Sequence, residues 1–139
     1  MLRRALLAGL LAGSAYACEC REPSVQAKRD GSDIVFRGTV IAFRESPIRA
    51  DKGPMARYTG RIAIFRVVRV WKGEVSQTLE MPEALETTAC IGFGNPLKTG
   101  EDLLVYASRI GSDYYTAICG LYKGAKSKDL KKLGRGKEP

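Results

Sequence analysis

The sequence of 139 residues contains no histidine. Without an imidazole the chain cannot build a Ser-His-Asp triad, a Cys-His nucleophile or a histidine metal site. Carboxylates, lysines and tyrosines are the remaining catalytic candidates, and no acidic residue stands apart from its basic neighbours as a catalytic group. The sequence therefore predicts a protein that is not an enzyme and that holds no cofactor or metal ion of its own.

Long hydrophobic runs are also missing. The longest covers residues 5–12, after two arginines, and is shorter than the ~20 residues needed to span a bilayer. A basic start, a short apolar run and small residues at Ala15 and Ala17 are typical of a signal peptide cleaved after Ala17. We expect residues 1–17 to be removed, leaving a secreted or periplasmic protein that begins at Cys18 and has no transmembrane segment.

Cysteine is scarce, and all four residues follow the leader: Cys18, Cys20, Cys90 and Cys119. An even number in an exported protein predicts two disulfides, for which three pairings are possible. A zinc site is the competing use, but the C-x-x-C spacing is absent and an oxidising compartment disfavours it. Lipidation of Cys18 is a third interpretation. It is disfavoured because it would leave an odd number of thiols, and because the residues before Cys18 match a lipobox poorly.

Positive charge is concentrated at one end of the chain. The formal charge of +8 falls to +6 without the two arginines of the leader. Residues 123–139 carry seven basic and two acidic side chains, so residues 18–122 are left with a charge near +1. This distribution disfavours a nucleic-acid groove across the domain. It predicts a basic C-terminal tail, either simply solvated or attached to anionic envelope or matrix polymers.

Runs of β-branched and aromatic residues between glycine- and proline-rich turns predict five β-strands. In the second strand, alternation places Val68 and Val70 on one face and Val67 and Trp71 on the other. Gly38, in the middle of the first strand, is expected to form a bend or a bulge. The predicted strands cover residues 33–44, 59–71, 75–81, 102–107 and 114–119.

Two short helices complete the prediction. Ser24 is expected to cap a helix over residues 25–29 that packs through Val25 and Ala27. A basic helix is expected over residues 125–133, with disorder beyond it. Five strands with a bent first strand and only short helices predict an all-β fold, a five-stranded barrel of the OB type stapled by disulfides.

Several motifs resemble the N-terminal domain of tissue inhibitors of metalloproteinases (TIMPs), a netrin-like (NTR) domain. The similarity extends from Cys18 to about Gly120, and its most specific part is the leading C-x-C with two later cysteines. The motifs are Cys18-Glu19-Cys20, Ile34-Val35-Phe36-Arg37-Gly38, Val70-Trp71-Lys72-Gly73, Cys90-Ile91-Gly92-Phe93, Leu103-Leu104-Val105-Tyr106 and Thr116-Ala117-Ile118-Cys119-Gly120. The resemblance implies an OB barrel with flanking helices over residues 18–122, followed by the tail at 123–139.

The resemblance also implies a pairing and a site. The pairing is Cys18–Cys90 and Cys20–Cys119. Inhibitors of this family chelate the catalytic zinc of the protease through the α-amino nitrogen and carbonyl oxygen of the first cysteine, here Cys18. The next side chain, here Glu19, enters the specificity pocket.

A second contact segment lies beside the terminus in this family, and it corresponds to Thr87, Thr88 and Ala89. The expected function is therefore a secreted metalloendopeptidase inhibitor whose partner is a zinc protease. The alternative is a non-inhibitory netrin-like binding module of the cell envelope or extracellular space, in which Cys18 is purely structural.

Overall fold

A computed structural model describes residues 23–46, 57–85 and 91–139; for residues 57, 117–119 and 125 only the backbone is described. Helix α1 precedes five strands, and a 3₁₀ turn and helix α2 follow them. In chain order the elements are α1 (Val25–Asp30), β1 (Ile34–Glu45), β2 (Arg57–Lys72), β3 (Thr78–Leu85), β4 (Asp102–Ile110), β5 (Asp113–Lys123), the 3₁₀ turn (Gly124–Lys126) and α2 (Asp129–Leu133).

The strands form one antiparallel sheet in the order β3-β2-β1-β4-β5. In a flat sheet of five strands the two edge strands would lie about 19 Å apart. Here β3 and β5 contain residues whose Cα atoms approach within 8 Å, so the sheet is strongly curved. The prediction of an all-β chain with short helices is confirmed.

Helix α1 begins where its capping signal predicts. The Ser24 hydroxyl accepts a hydrogen bond of 3.1 Å from the Ala27 amide, and the Gly31 amide donates to the Ala27 carbonyl at the other end. Val25 is buried, as predicted. The predicted packing of Ala27 is wrong, because its side chain faces solvent. So short a helix can turn only a narrow stripe towards the sheet.

The pairing of β1 with β2 skips three residues, Ile41 on β1 and Val68 and Trp71 on β2. Each skip changes which side chains of a strand point inward. The bulge expected at Gly38 is confirmed, since one register shift lies between Arg37 and Gly38. The predicted common face of Val68 and Val70 is wrong, because the bulge leaves Val68 46% exposed while Val70 is buried.

Strand β3 begins and ends later than the sequence predicts. Val75 is buried in the core but precedes the strand. The strand continues past the predicted end at residue 81 and includes Pro82. An edge strand needs hydrogen-bond donors on one side only, so a proline without an amide hydrogen is tolerated there.

Alternation along β1 and β4 builds two apolar clusters on opposite faces of the sheet. The inner face carries the main core, where Phe36 and Phe65 pack edge to face with ring centroids 5.6 Å apart. The outer face is covered by the two helices. Its cluster consists of Val25, Val35, Trp71, Leu104, Tyr106 and Leu133.

The expected disorder after α2 is wrong. The Trp71 indole donates a hydrogen bond of 3.0 Å to the Gly134 carbonyl, and Lys137 exchanges two backbone hydrogen bonds, 2.8 and 2.9 Å, with Val70. The ladder between β2 and β3 ends at Arg66. Beyond that point β2 has an open edge, and the C-terminal residues satisfy part of it.

Candidate functional site

The residues that carry the predicted inhibitory chemistry lie outside the described part of the chain. The backbone of Cys119 belongs to β5, but its side chain is not described. The predicted pairings Cys18–Cys90 and Cys20–Cys119 therefore stay predictions. The residues outside the described ranges are Cys18, Glu19, Cys20, Thr87, Thr88, Ala89 and Cys90.

The described residues that flank these segments meet at one groove. The groove lies between α1 and the β4–β5 hairpin and has a volume of about 350 Å³. Pro23, Ile91 and Gly120 all contribute to its lining. They come from the N-terminal, middle and C-terminal parts of the chain, so the fold brings the neighbourhoods of three cysteines together.

Residues 91–93 are held between the two edge strands. The Gly92 amide donates to the Thr116 carbonyl of β5 at 2.6 Å, and the Phe93 amide donates to the Ala84 carbonyl of β3 at 2.8 Å. The Phe93 side chain is buried in the inner core. The residue that follows Cys90 therefore enters the groove from a fixed backbone.

Glycine is required at position 92. Its φ is +121°, and a Cβ there would lie 2.6 Å from the Leu85 carbonyl oxygen and 2.7 Å from that of Ala84. Those distances are too short for any other side chain unless the backbone moves. The glycine lets this segment pass close to the end of β3.

Strand β5 is irregular where it carries Cys119. Thr116 pairs with Ala107 and Leu121 pairs with Val105, so β5 has four residues where β4 has Tyr106 alone. The buried Thr116 hydroxyl donates to the Tyr106 carbonyl at 2.8 Å. The sequence predicts a regular strand here. The additional residues of β5 could not be predicted, because they depend on how β5 pairs with β4 and not on the residue types of β5.

Helix α1 is joined to β4 by polar contacts just after its end. The Asp33 amide donates to the Ala107 carbonyl at 2.9 Å, and the Asp33 carboxylate accepts from the Arg109 amide at 2.7 Å. The Ser32 hydroxyl donates to the Lys28 carbonyl. These contacts fix the C-terminal end of α1 on the groove wall.

The most enclosed charge near the groove is Lys28. Its ammonium donates to Asp129 at 2.5 Å and to the Tyr122 hydroxyl at 2.9 Å, and it lies over the rings of Tyr106 and Tyr122. Burial acts to lower the pKa of Lys28, but the bonds to Asp129 and Tyr122 outweigh burial and raise it. Burial and a hydrogen bond to Asp129 raise the pKa of Tyr106 far above its ordinary value.

One feature of the sequence points to this cluster. Asp129 is the single acidic residue in a run of basic ones, and an isolated acid of that kind often has a structural partner. The charge pattern alone could not name Lys28, which lies 101 positions away.

A second ion pair joins the buried Glu83 carboxylate to the partly exposed Arg61 side chain. The Glu83 carboxylate accepts hydrogen bonds from Arg61 at 2.7 Å, from the Thr59 hydroxyl at 2.8 Å and from the Leu97 amide at 2.9 Å. Burial acts to raise the pKa of Glu83, but these donors outweigh it and lower the pKa. Arg61 also stacks over the Phe43 ring, 3.8 Å from its centroid. Glu83 therefore ties together β2, β3 and the chain before β4.

Within the described ranges, no three potential metal ligands among Cys, Asp and Glu lie together, and no helix is long and apolar enough to cross a bilayer. Comparison of the chain with protein-family models and with curated proteins gives no match. The likeness to the TIMP N-terminal domain therefore rests on the sequence motifs and stays a prediction.

Proposed function

We propose that the mature chain is a secreted or periplasmic metalloendopeptidase inhibitor of the TIMP type. The observation that carries the proposal is the shared groove of Pro23, Ile91 and Gly120. A terminus clamped by two disulfides needs the leading C-x-C, the segment before β4 and the end of the sheet to lie side by side. The neighbourhoods of those three elements are the ones that the fold assembles.

The reach of the chain supports the proposed disulfides. Each residue spans at most about 3.6 Å, and a disulfide needs Cα atoms about 4.4–6.8 Å apart. Ile91 directly follows Cys90, and Gly120 directly follows Cys119. Pro23 is three positions after Cys20. These three anchors line one groove, which the proposed pairs Cys18–Cys90 and Cys20–Cys119 require.

We further propose that the sheet closes into an OB-type barrel. Support comes from the strand order, which leaves β3 and β5 as the two edges, and from their close approach. Gly92 and Phe93 bridge these edges with one hydrogen bond to each. Full closure removes exposed strand edges and would enclose the inner face of β1 and β4, while the helices cover the outer face.

The proposed chemistry requires only a free amine and its neighbouring carbonyl. A catalytic zinc keeps one position for water, and the nitrogen and oxygen of Cys18 would fill it as a five-membered chelate. The pKa of an α-amino group is about 7.7–8.0, so losing its proton near neutral pH costs little. Disulfide clamping lowers the ordering cost of binding.

The carboxylate of Glu19 limits which zinc proteases the chain could inhibit. Burying a carboxylate in an apolar pocket costs several kcal/mol unless a cation pairs with it. We therefore expect the inhibited protease to carry a basic side chain in the pocket beside its zinc. Replacing Glu19 by threonine should shift inhibition towards zinc endopeptidases with apolar pockets.

The test begins with the exported protein, its N-terminal sequence and its disulfide map, followed by inhibition of a panel of zinc endopeptidases. We expect a free Cys18 terminus and inhibition of at least one enzyme. One alanine added before Cys18 should abolish inhibition, while one alanine added after Pro139 should not change it. Undiminished inhibition by the N-terminally extended form contradicts the proposal.

One observation favours the alternative of a non-inhibitory netrin-like binding module. The C-terminal residues are ordered, and all seven basic side chains of residues 123–139 are exposed. Two of them form ion pairs, Lys123 with Glu101 and Lys137 with Glu74. The other five are Lys126, Lys128, Lys131, Lys132 and Arg135. Deleting the whole segment would also remove its packing on β2, so the sharper variant replaces these five residues by glutamine. If the alternative is right, this variant loses retention on anionic polymers, and the added N-terminal alanine has no effect.

A further inference from the structure

Residues 124–139, which we call the C-terminal strap, are anchored on the outer face of the sheet by contacts with β2. Leu133 is buried in the same cluster as Trp71, whose indole donates to Gly134. Lys137 pairs with Val70 by two backbone hydrogen bonds. The strap is therefore anchored to β2 at several points.

The strap reaches α1 through a charge pair. Asp129 lies 2.5 Å from the ammonium of Lys28, and their side chains are only 15% and 6% exposed. Asp129 also accepts a hydrogen bond of 2.8 Å from Tyr106. A buried ammonium that loses its carboxylate must move towards water or lose its proton, and both are costly. The pair thus holds α1 against an anchored element.

Helix α1 needs such an external support. It has six residues, and isolated helices shorter than ~12 residues are marginal in water. Val25 and Lys28 are its main contacts with the outer cluster and the strap. Lys28 also lines the groove together with Pro23, the residue from which the N-terminal segment departs.

We propose that Asp129 and Lys28 are positioning residues: the C-terminal strap holds α1, and α1 sets the position of Pro23, from which the chain continues to Cys18. The inference rests on the proposed function, because it assigns the strap a part in presenting Cys18. The C-terminal strap then serves the opposite end of the chain through Asp129.

The test compares the wild type with Asp129→Asn and with Glu138→Gln as matched control. Glu138 is also a strap carboxylate, but it is 83% exposed and lies 3.8 Å from Arg69. Hydrogen exchange of the Lys28 and Gly31 amides reports on α1, and exchange of β4 amides reports on global opening. Inhibition constants are measured for a zinc endopeptidase that the wild type inhibits, at a temperature where all variants are folded.

We expect Asp129→Asn to speed α1 exchange and to weaken inhibition, each by at least about tenfold, with β4 unchanged. Glu138→Gln should change neither. The neutral pair Lys28→Gln with Asp129→Asn should move both readouts back towards the wild type. A role in stability alone would leave inhibition by the folded variant unchanged.

Two results overturn the inference. One is α1 exchange that stays at the wild-type rate in Asp129→Asn. The other is faster α1 exchange with no loss of inhibition by the folded variant. A wild type that inhibits no zinc endopeptidase, but shows the expected exchange pattern, instead overturns the proposed function and supports the hold of the strap on α1.

Discussion

Replacing Gly92 by alanine should loosen the segment that leads from Cys90 into the core. The added Cβ would meet backbone oxygens of Ala84 and Leu85 at 2.7 and 2.6 Å. Neither oxygen belongs to a flexible side chain, so the strain is relieved only by moving residues 91–93 away from β3.

The expected cost can be built from its parts. A φ of +121° costs an alanine about 1–2 kcal/mol. Moving the segment weakens the hydrogen bonds from Gly92 to Thr116 and from Phe93 to Ala84, each worth about 1 kcal/mol. We expect Gly92→Ala to lower the free energy of unfolding by about 3–4 kcal/mol.

Gly94 provides the matched control. Its φ is +78°, and among the described residues, its two chain neighbours aside, no atom lies within 4 Å of the position its Cβ would take. Gly94→Ala should therefore cost only the backbone term, about 1 kcal/mol. Urea unfolding under non-reducing conditions, followed through the fluorescence of Trp71, measures both variants. Equal losses of stability in the two variants would refute the close-approach argument.

Three further variants test other parts of the fold. Glu83→Gln should lower the free energy of unfolding by about 2 kcal/mol at pH 7, since it leaves Arg61 without its carboxylate partner. The folded state lowers the pKa of Glu83. The contribution of its carboxylate to stability is therefore fully present above the unfolded pKa of about 4.3 and is lost as the pH falls through the folded pKa. A stability difference between Glu83→Gln and wild type that stays constant from pH 7 to strong acid would contradict this linkage. Trp71→Phe removes both the bond to Gly134 and the one tryptophan of the chain, so its urea unfolding is followed by circular dichroism. It should cost about 1 kcal/mol, and an unchanged midpoint would argue against that bond. Val68→Thr, at the exposed bulge, should stay within about 0.5 kcal/mol of wild type, and a larger loss would mean that Val68 is covered.

The parts of the fold that local chemistry decides could be predicted from the sequence. Ser24 caps α1 because a hydroxyl accepts an amide hydrogen bond three residues on. The five strands follow from β-branched runs between turns, and Gly38 marks a register shift. Each of these signals lies within a few residues of the feature it predicts.

The parts that depend on a partner strand could not be predicted. Val68 and Trp71 are skipped because of how β2 pairs with β1. Alternation along β2 alone therefore grouped Val68 with Val70 and Val67 with Trp71, and the structure separates both pairs. Pro82 continues β3 because that strand is an edge, a property of the whole sheet.

The C-terminal strap shows the same limit for charge. A run of lysines predicts a solvated tail when only the run is considered. The fold places the buried ammonium of Lys28 beside Asp129, which lies 101 positions away along the chain, and their ion pair could not be predicted from the charge run alone. One long-range ion pair and the open edge of β2 thus convert an expected tail into ordered structure.

The rigidity of the groove bears on the two proposed roles of Cys18, inhibitory and purely structural. Stapling needs only that the cysteines meet, and slack in the surrounding chain would not matter to it. Three contacts instead hold the chain around the groove in place. The Lys28 ion pair holds α1, the required glycine at 92 holds residues 91–93 close to β3, and the buried Thr116 hydroxyl bonds β5 to β4. Rigidity of that kind lowers the ordering cost of an association. Folded Gly92→Ala should therefore bind its protease more weakly if the terminus is inhibitory, whereas a purely stapling role predicts a loss of stability alone.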